Sequence, residues 1–200
     1  MNAMVAIKYT GDELWARIER AVEKVKDRVR RVSQALNEAS IPYAVVGGNA
    51  VQLWVAQVDE AAVRNTQDVD ILLRREDLPQ ATEALSKANF IYCQVAGVDK
   101  FLDGPQATPR DAVHVIMAGE KVRPEYSQPA PETDEFVTIK DTRALSLEAL
   151  VRMKLTSFRR KDQVHILDML EVGLIDSSWL ERVPADLRSR LQELIDSPDG

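Results

Sequence analysis

The chain begins with a long apolar stripe. Ile18, Val22, Val25, Val29, Val32 and Leu36 recur at alternating steps of four and three residues, which places them on one face of a helix. The other faces carry Glu19, Arg20, Lys24, Lys26, Asp27, Arg28, Arg30 and Arg31. The pattern predicts a helix over 11–39, with Asp12 as N-cap and Pro42 just beyond its end. A stripe this strict packs either on its own chain, with the C-terminal helices as the expected surface, or on a second copy as a coiled-coil seam.

Further along, the apolar runs shorten. Residues 41–46 are nearly all apolar and end in Gly47-Gly48, which reads as a buried strand. Helical character returns over 49–58, a polar loop follows to 67, and 69–73 reads as a second strand. Asp77 and Pro79 introduce a helix over 78–88. Residues 90–95 and 98–102 read as two strands around Ala96-Gly97, and 112–117 as another. Three prolines between 123 and 135 predict an extended linker. Beyond it, Ser146 is a fitting N-cap for a helix over 147–159, and helical segments follow at 162–172 and 177–195. The order predicts an α+β fold with a mixed sheet flanked by helices. It divides into an N-terminal helix packed on the core (1–40), a core (41–122), a linker (123–135) and a helical C-terminal region (136–200).

Composition narrows the function. With 45% hydrophobic and 29% charged residues among 200, the chain has the balance of an ordinary globular protein. A net charge of -6 offers no global attraction to nucleic acid, so such a surface would be local, at Lys24–Arg31 or Arg152–Lys161. The single cysteine, Cys93, excludes an intramolecular disulfide, and its apolar neighbours suggest a buried thiol. No apolar run reaches transmembrane length and the opening residues are too polar for a signal peptide, so the reading is a cytoplasmic protein without a membrane partner.

The chemistry concentrates in two pieces one helix apart. Gly47-Gly48-Asn49 joins a strand to a helix, where free N–H groups and close backbone approach suit phosphate. Then comes Arg64-Asn65-Thr66-Gln67-Asp68-Val69-Asp70. Residues two apart on a strand share a face, so Asp68 and Asp70 would stand side by side and repel unless a cation neutralises them. Oxygen-only ligands suit Mg2+ or Mn2+. A phosphate cradle followed by paired carboxylates matches the needs of phosphoryl or nucleotidyl transfer. Lys121 and Arg123 read as a solvated loop, Trp54 as core, and His165 as a packing residue.

Gly47-Gly48 followed by Arg64-x-Thr66-x-Asp68-x-Asp70 resembles the DNA polymerase β-type nucleotidyltransferase superfamily, in particular its small bacterial and archaeal branches, the AbiEii-like toxins and minimal nucleotidyltransferases. The resemblance is good over 41–74 and looser through Lys154 and Arg159-Arg160-Lys161-Asp162. It implies a metal-dependent enzyme in which Asp68 and Asp70 hold Mg2+ or Mn2+. Gly47, Gly48, Asn49, Arg64, Thr66 and Lys154 would meet a nucleoside triphosphate. The nucleoside monophosphate would pass to a hydroxyl on RNA, a protein or a small molecule. The family carries a third carboxylate on a later strand, where this chain has His114; strand parity turns Asp111 the other way. His114 either ligates manganese or serves as a base, or marks a descendant that binds a nucleotide or a partner without turnover. A third reading is an antitoxin-like partner that uses the long first helix as an arm, and that helix could equally form a homodimer.

Overall fold

The computed structural model describes residues 7–108 and 111–198; the first six residues of the opening segment lie outside them. Helix α1 (Gly11–Glu38) leads into β1 (Tyr43–Val46), α2 (Gly47–Val55), β2 (Val69–Leu73) and α3 (Leu78–Lys87). Strands β3 (Ile91–Val95), β4 (Val98–Leu102), β5 (Ala112–Met117), β6 (Phe136–Ile139) and β7 (Thr142–Leu145) follow. Helices α4 (Leu147–Ser157), α5 (Arg160–Glu171) and α6 (Arg188–Asp196) close the described chain, with short 3-10 turns between the last two. The strands form one seven-stranded mixed sheet in the order β3-β4-β5-β2-β1-β7-β6. The fold is α+β, as the order of elements predicts. No helix among the described residues is long and apolar enough to cross a membrane.

Each face of the sheet has its own core. On one, Tyr43, Val45, Ile71, Leu73, Val113 and Phe101 pack under α1 and α3. On the other, Ala44, Val46 and Leu72 pack under α2, α4, α5 and α6. This is period-two alternation read out on both faces. The stripe of α1 therefore lies on α3 and the sheet rather than on the C-terminal helices as expected, because those helices fill the opposite face. Only the second half of the helix is docked. Val32 and Leu36 are wholly buried, worth roughly 1.5–3 kcal/mol each, whereas Leu14, Trp15 and Ile18 remain exposed. Thr10, not Asp12, occupies the N-cap position, without a side-chain cap bond. The basic run on α1 is not an open patch either. Arg28 and Arg31 donate to Asp103, Arg28 also to Asp111, and Arg31 also to Asp27.

Two other segments depart from the sequence reading. Residues 136–145 are strands, not helix: β6 and β7 form a hairpin, and β7 pairs in parallel with β1. The proline-rich stretch before them is tied down rather than free. Ala130 exchanges backbone hydrogen bonds with Gly119 and Glu120, and Ala130 and Thr133 are buried. The Ala96-Gly97 turn is as expected; both residues have positive φ, which gives the backbone twist a two-residue hairpin needs. Ser146 caps α4 by accepting from the Ala149 amide.

Candidate active site

Strand β1 ends beside the start of β2, and this adjacency builds the site. Val46 pairs with Asp70 across the antiparallel ladder, so Gly47 turns into α2 directly over the Asp70 carboxylate. Gly47 has φ +68, and a Cβ there would lie 3.0 Å from Asp70 Cγ and inside contact distance of its oxygen. A Cβ on Gly48 would meet Thr66 Oγ1 at 2.8 Å. The two glycines are thus needed for close approach, the first also for its backbone conformation. Asn49 is buried and donates its side-chain amide to the Asp68 carbonyl at 2.6 Å, which ties the helix start to the strand entry. Asp68 sits one residue before β2, half-exposed, and Asp70 sits within the strand, one-fifth exposed.

Asp70 and His114 are register partners on parallel strands, with His114 Nδ1 3.4 Å from Asp70 Oδ1. Register partners on neighbouring strands share a face of the sheet, so the two side chains stand together. Asp111, just before β5, instead receives Arg28 and Thr108, away from Asp70.

A cavity of about 610 Å³ opens over Gly47, Gly48, Thr66, Asp68 and Asp70, a size that suits a nucleotide-sized ligand. Its far wall comes from α4 and α5, with Lys154, Arg159 and Lys161, and from the 122–130 segment, with Arg123 and Tyr126. Four cations thus share the lining with Asp68 and Asp70, and two of them, Lys154 and Arg159, are paired with Asp162, which also lines it. Lys161 Nζ stands 3.8 Å from Asp68 Oδ2. Lys154 is almost wholly buried and donates to Asp162 at 3.2 Å. Burial pushes the Lys154 ammonium below its ordinary value, against the pull of Asp162. Burial would raise the Asp162 carboxyl, but the Arg159 hydrogen bond, the Lys154 charge and the Ser157 hydroxyl outweigh it and hold the carboxyl low.

Some sequence-selected residues sit elsewhere. Arg64 is exposed, outside the cavity lining, and donates to Asp168 at 2.6 Å. Asn49 holds backbone and does not line the cavity. Other residues were missed. Arg123 lies in an exposed loop, as expected, and also lines the cavity, with Tyr126 and Ser157. His165 is not a satisfied packing residue: it lines the cavity, and its buried Nδ1 has no hydrogen-bond partner. Burial and then the Lys154 charge push this imidazole down to about 4, with Lys161 acting the same way against Asp162. The unfolded chain then binds the proton more tightly, so stability should fall as pH drops from about 6.5 and level off near 4. His165→Gln should flatten that part of the profile relative to the parent in urea midpoints; an unchanged slope would mean His165 titrates normally.

No three His, Cys, Asp or Glu side chains come together as a metal-holding group among the described residues. The site presents two carboxylates on one cavity wall and no protein cage.

No family model matches the chain, and no curated protein does. Solved structures do. The antibiotic-resistance factor ANT(2'')-Ia superposes with a TM-score of 0.53 at 14% identity, over 90% of this chain and 93% of its own. Its complex with adenylyl-2''-tobramycin gives 0.52 at 14% identity, over 84% and 96%. A candidate nucleotidyltransferase from Helicobacter pylori gives 0.52 at 16% identity, over 90% and 79%. With its seven-stranded mixed sheet flanked by helices, this chain shares the fold of ANT(2'')-Ia and of the Helicobacter pylori protein.

Proposed function

We propose that the chain transfers a nucleoside monophosphate from a nucleoside triphosphate to a hydroxyl acceptor with the help of Mg2+ or Mn2+. The observation that carries this reading is the opposition of Gly47-Gly48, Asp68 and Asp70 to Lys154, Arg159, Lys161 and Arg123 across one cavity. The α2 N-terminus and the cations suit a triphosphate. The orphaned His165 Nδ1 is a polar atom that a bound nucleotide could satisfy. Two carboxylates without a third protein donor fit a magnesium-type ion that arrives with substrate phosphates, which commonly complete its shell. Such an ion, when bound, would neutralise charge on the reacting phosphate.

The chain's own residues divide the remaining work. Gly47, Gly48 and the α2 amides seat the phosphates, and Lys161 and Arg159 stabilise the charge that gathers on the leaving pyrophosphate. Lys154 and Asp162 hold Arg159 and Ser157 in place. The acceptor oxygen forms its bond to the α-phosphorus as the α–β bridging P–O bond breaks, and pyrophosphate leaves with that electron pair. His114, beside Asp70, is placed to take the hydroxyl proton.

A second reading, a nucleotide-binding descendant without turnover, is favoured by the histidine at 114. Turnover separates the two. Thermal unfolding should show a larger shift with Mn2+ plus a nucleoside triphosphate than with either alone, because ligands that bind only the folded state stabilise it. Label from the α-phosphate should then appear on RNA, protein or small hydroxyl compounds. Stabilisation without transfer would select the second reading, and no stabilisation would refute both. The uncovered Leu14, Trp15 and Ile18 on α1 support a second copy of the chain as a further partner.

A further inference from the structure

The sheet does not stop at His114. Register carries one row of side chains on from Asp70 to His114 on β5, to Lys100 on β4, and to Cys93 on β3. Alternation puts Ile91, Val95, Val98 and Leu102 on this same face. Helices cover the face over β1 and β2, but Ile91 is 44% exposed, Val95 55% and Val98 43%. Val98 also lines the nucleotide cavity, so the uncovered face and the cavity are continuous. Cys93, expected to be buried, is partly exposed here.

Two features of this face are chemically selective. Lys100 stands one strand spacing, about 5 Å, from His114, and no carboxylate of the described residues lies within 4.0 Å of it. Tyr92 turns to the other face, where it donates to the buried Asp99. On β3 and β4 the open face is thus aliphatic apart from Cys93 and one unpaired ammonium, with no aromatic ring or carboxylate.

We infer that this face is the acceptor site, and that it takes a small hydroxyl compound with an apolar body and an anionic group beside the hydroxyl. The inference rests on the nucleotidyl-transfer reading and adds the acceptor's chemistry to it. The glycine turn and the cations of α4 and α5 take the triphosphate on one side of Asp70, which leaves the His114 side for the attacking oxygen. An acceptor seated there would meet Lys100 with its anion and Val98, Ile91 and Val95 with its body. A polycation such as the aminoglycoside seen with ANT(2'')-Ia would meet an uncompensated like charge. A polynucleotide laid along β3 and β4 would find one cation and no stacking surface there, where binding needs a basic track and aromatic platforms.

Cys93, the chain's one thiol, reports occupancy of this face. The experiment follows its alkylation by iodoacetamide in the full chain. Three probes of matched length are compared: N-octanoyl-serine (anionic), N-octanoyl-ethanolamine (neutral) and dimethyl-octyl-hydroxyethylammonium (cationic). The anionic probe should slow alkylation severalfold, the neutral one less, and the cationic one not at all. Lys100→Met should erase the preference for the anion while keeping protection by the neutral probe, and Lys100→Glu should reverse the order. Equal protection by all three, or an anion preference that survives Lys100→Glu, would overturn the inference. So would protection by an RNA oligonucleotide in preference to the anionic probe. Stabilisation by Mn2+ and nucleoside triphosphate is measured on the same samples. If that is absent while the anion preference obeys Lys100, the nucleotidyl-transfer reading fails and the anion site stands.

Discussion

Asp70→Asn should lower nucleotidyl transfer by about a thousandfold or more while leaving the protein folded. The size follows from the several kcal/mol of charge stabilisation that a metal-holding carboxylate supports, since each ~1.4 kcal/mol is tenfold. The fold should survive because Asp70 is solvent-accessible and makes no ion pair with a lysine or arginine among the described residues; its near side-chain neighbour is His114 at 3.4 Å. Asp68→Asn should cost transfer as well, but less, because Asp68 stands half-exposed at the cavity mouth with only Lys161 at 3.8 Å. Together the two changes should remove the extra thermal stabilisation that Mn2+ adds to a nucleoside triphosphate. Transfer assays and melting curves on the same samples check this. A double variant that responds to Mn2+ as the parent does would show that these carboxylates do not hold the ion.

Asp162→Ala should be the most destabilising single change in the site, by about 3–5 kcal/mol, because it strands a buried ammonium without its partner. Asp162 is 1% exposed and Lys154 5%. One Asp162 oxygen accepts from Lys154, and the other from Ser157 at 2.8 Å and Arg159 Nε at 2.7 Å. Losing that carboxylate leaves three donors unmatched at the α4–α5 corner. Lys154→Met combined with Asp162→Leu should recover most of the stability, since an apolar pair of similar volume often replaces a buried ion pair without loss. Transfer should stay low in the double variant because the Arg159 anchor is gone. The contribution of Asp162 is complete above its unfolded value near 3.9 and is lost as pH falls through the lower folded value. Urea midpoints test the three stability statements and a transfer assay the fourth; a cost below about 1 kcal/mol for Asp162→Ala would show that the pair relaxes into solvent.

What could be read from the sequence was local. The Gly47-Gly48 turn after an apolar run, the spacing of Asp68 and Asp70, and the parity that sets His114 apart from Asp111 all depend on backbone conformation over a few residues. Glycine's freedom and the two-residue strand repeat act at that range. The structure accordingly places Gly47 over Asp70 and Asp70 beside His114.

Tertiary packing decided the rest. The α1 stripe specifies that a face is buried, but not against what, and the opposite side of the sheet was already taken by α2 and α4–α6. Residues 136–145 become strands because β1 leaves an open edge for β7, a long-range pairing that a ten-residue segment does not announce. Arg64 carries the spacing of a nucleotide contact, yet Asp168 on α5 reaches it first. The resemblance reaches Lys154 and Arg159–Asp162 only loosely, while His165 reads in the sequence as a packing residue and Arg123 as a loop residue. They become the wall of a cavity only because α4 and α5 pack on α2 and the 122–130 segment folds back across β5. A charge is either solvated or part of a site according to what stands opposite it, and that depends on distances between segments far apart in the chain.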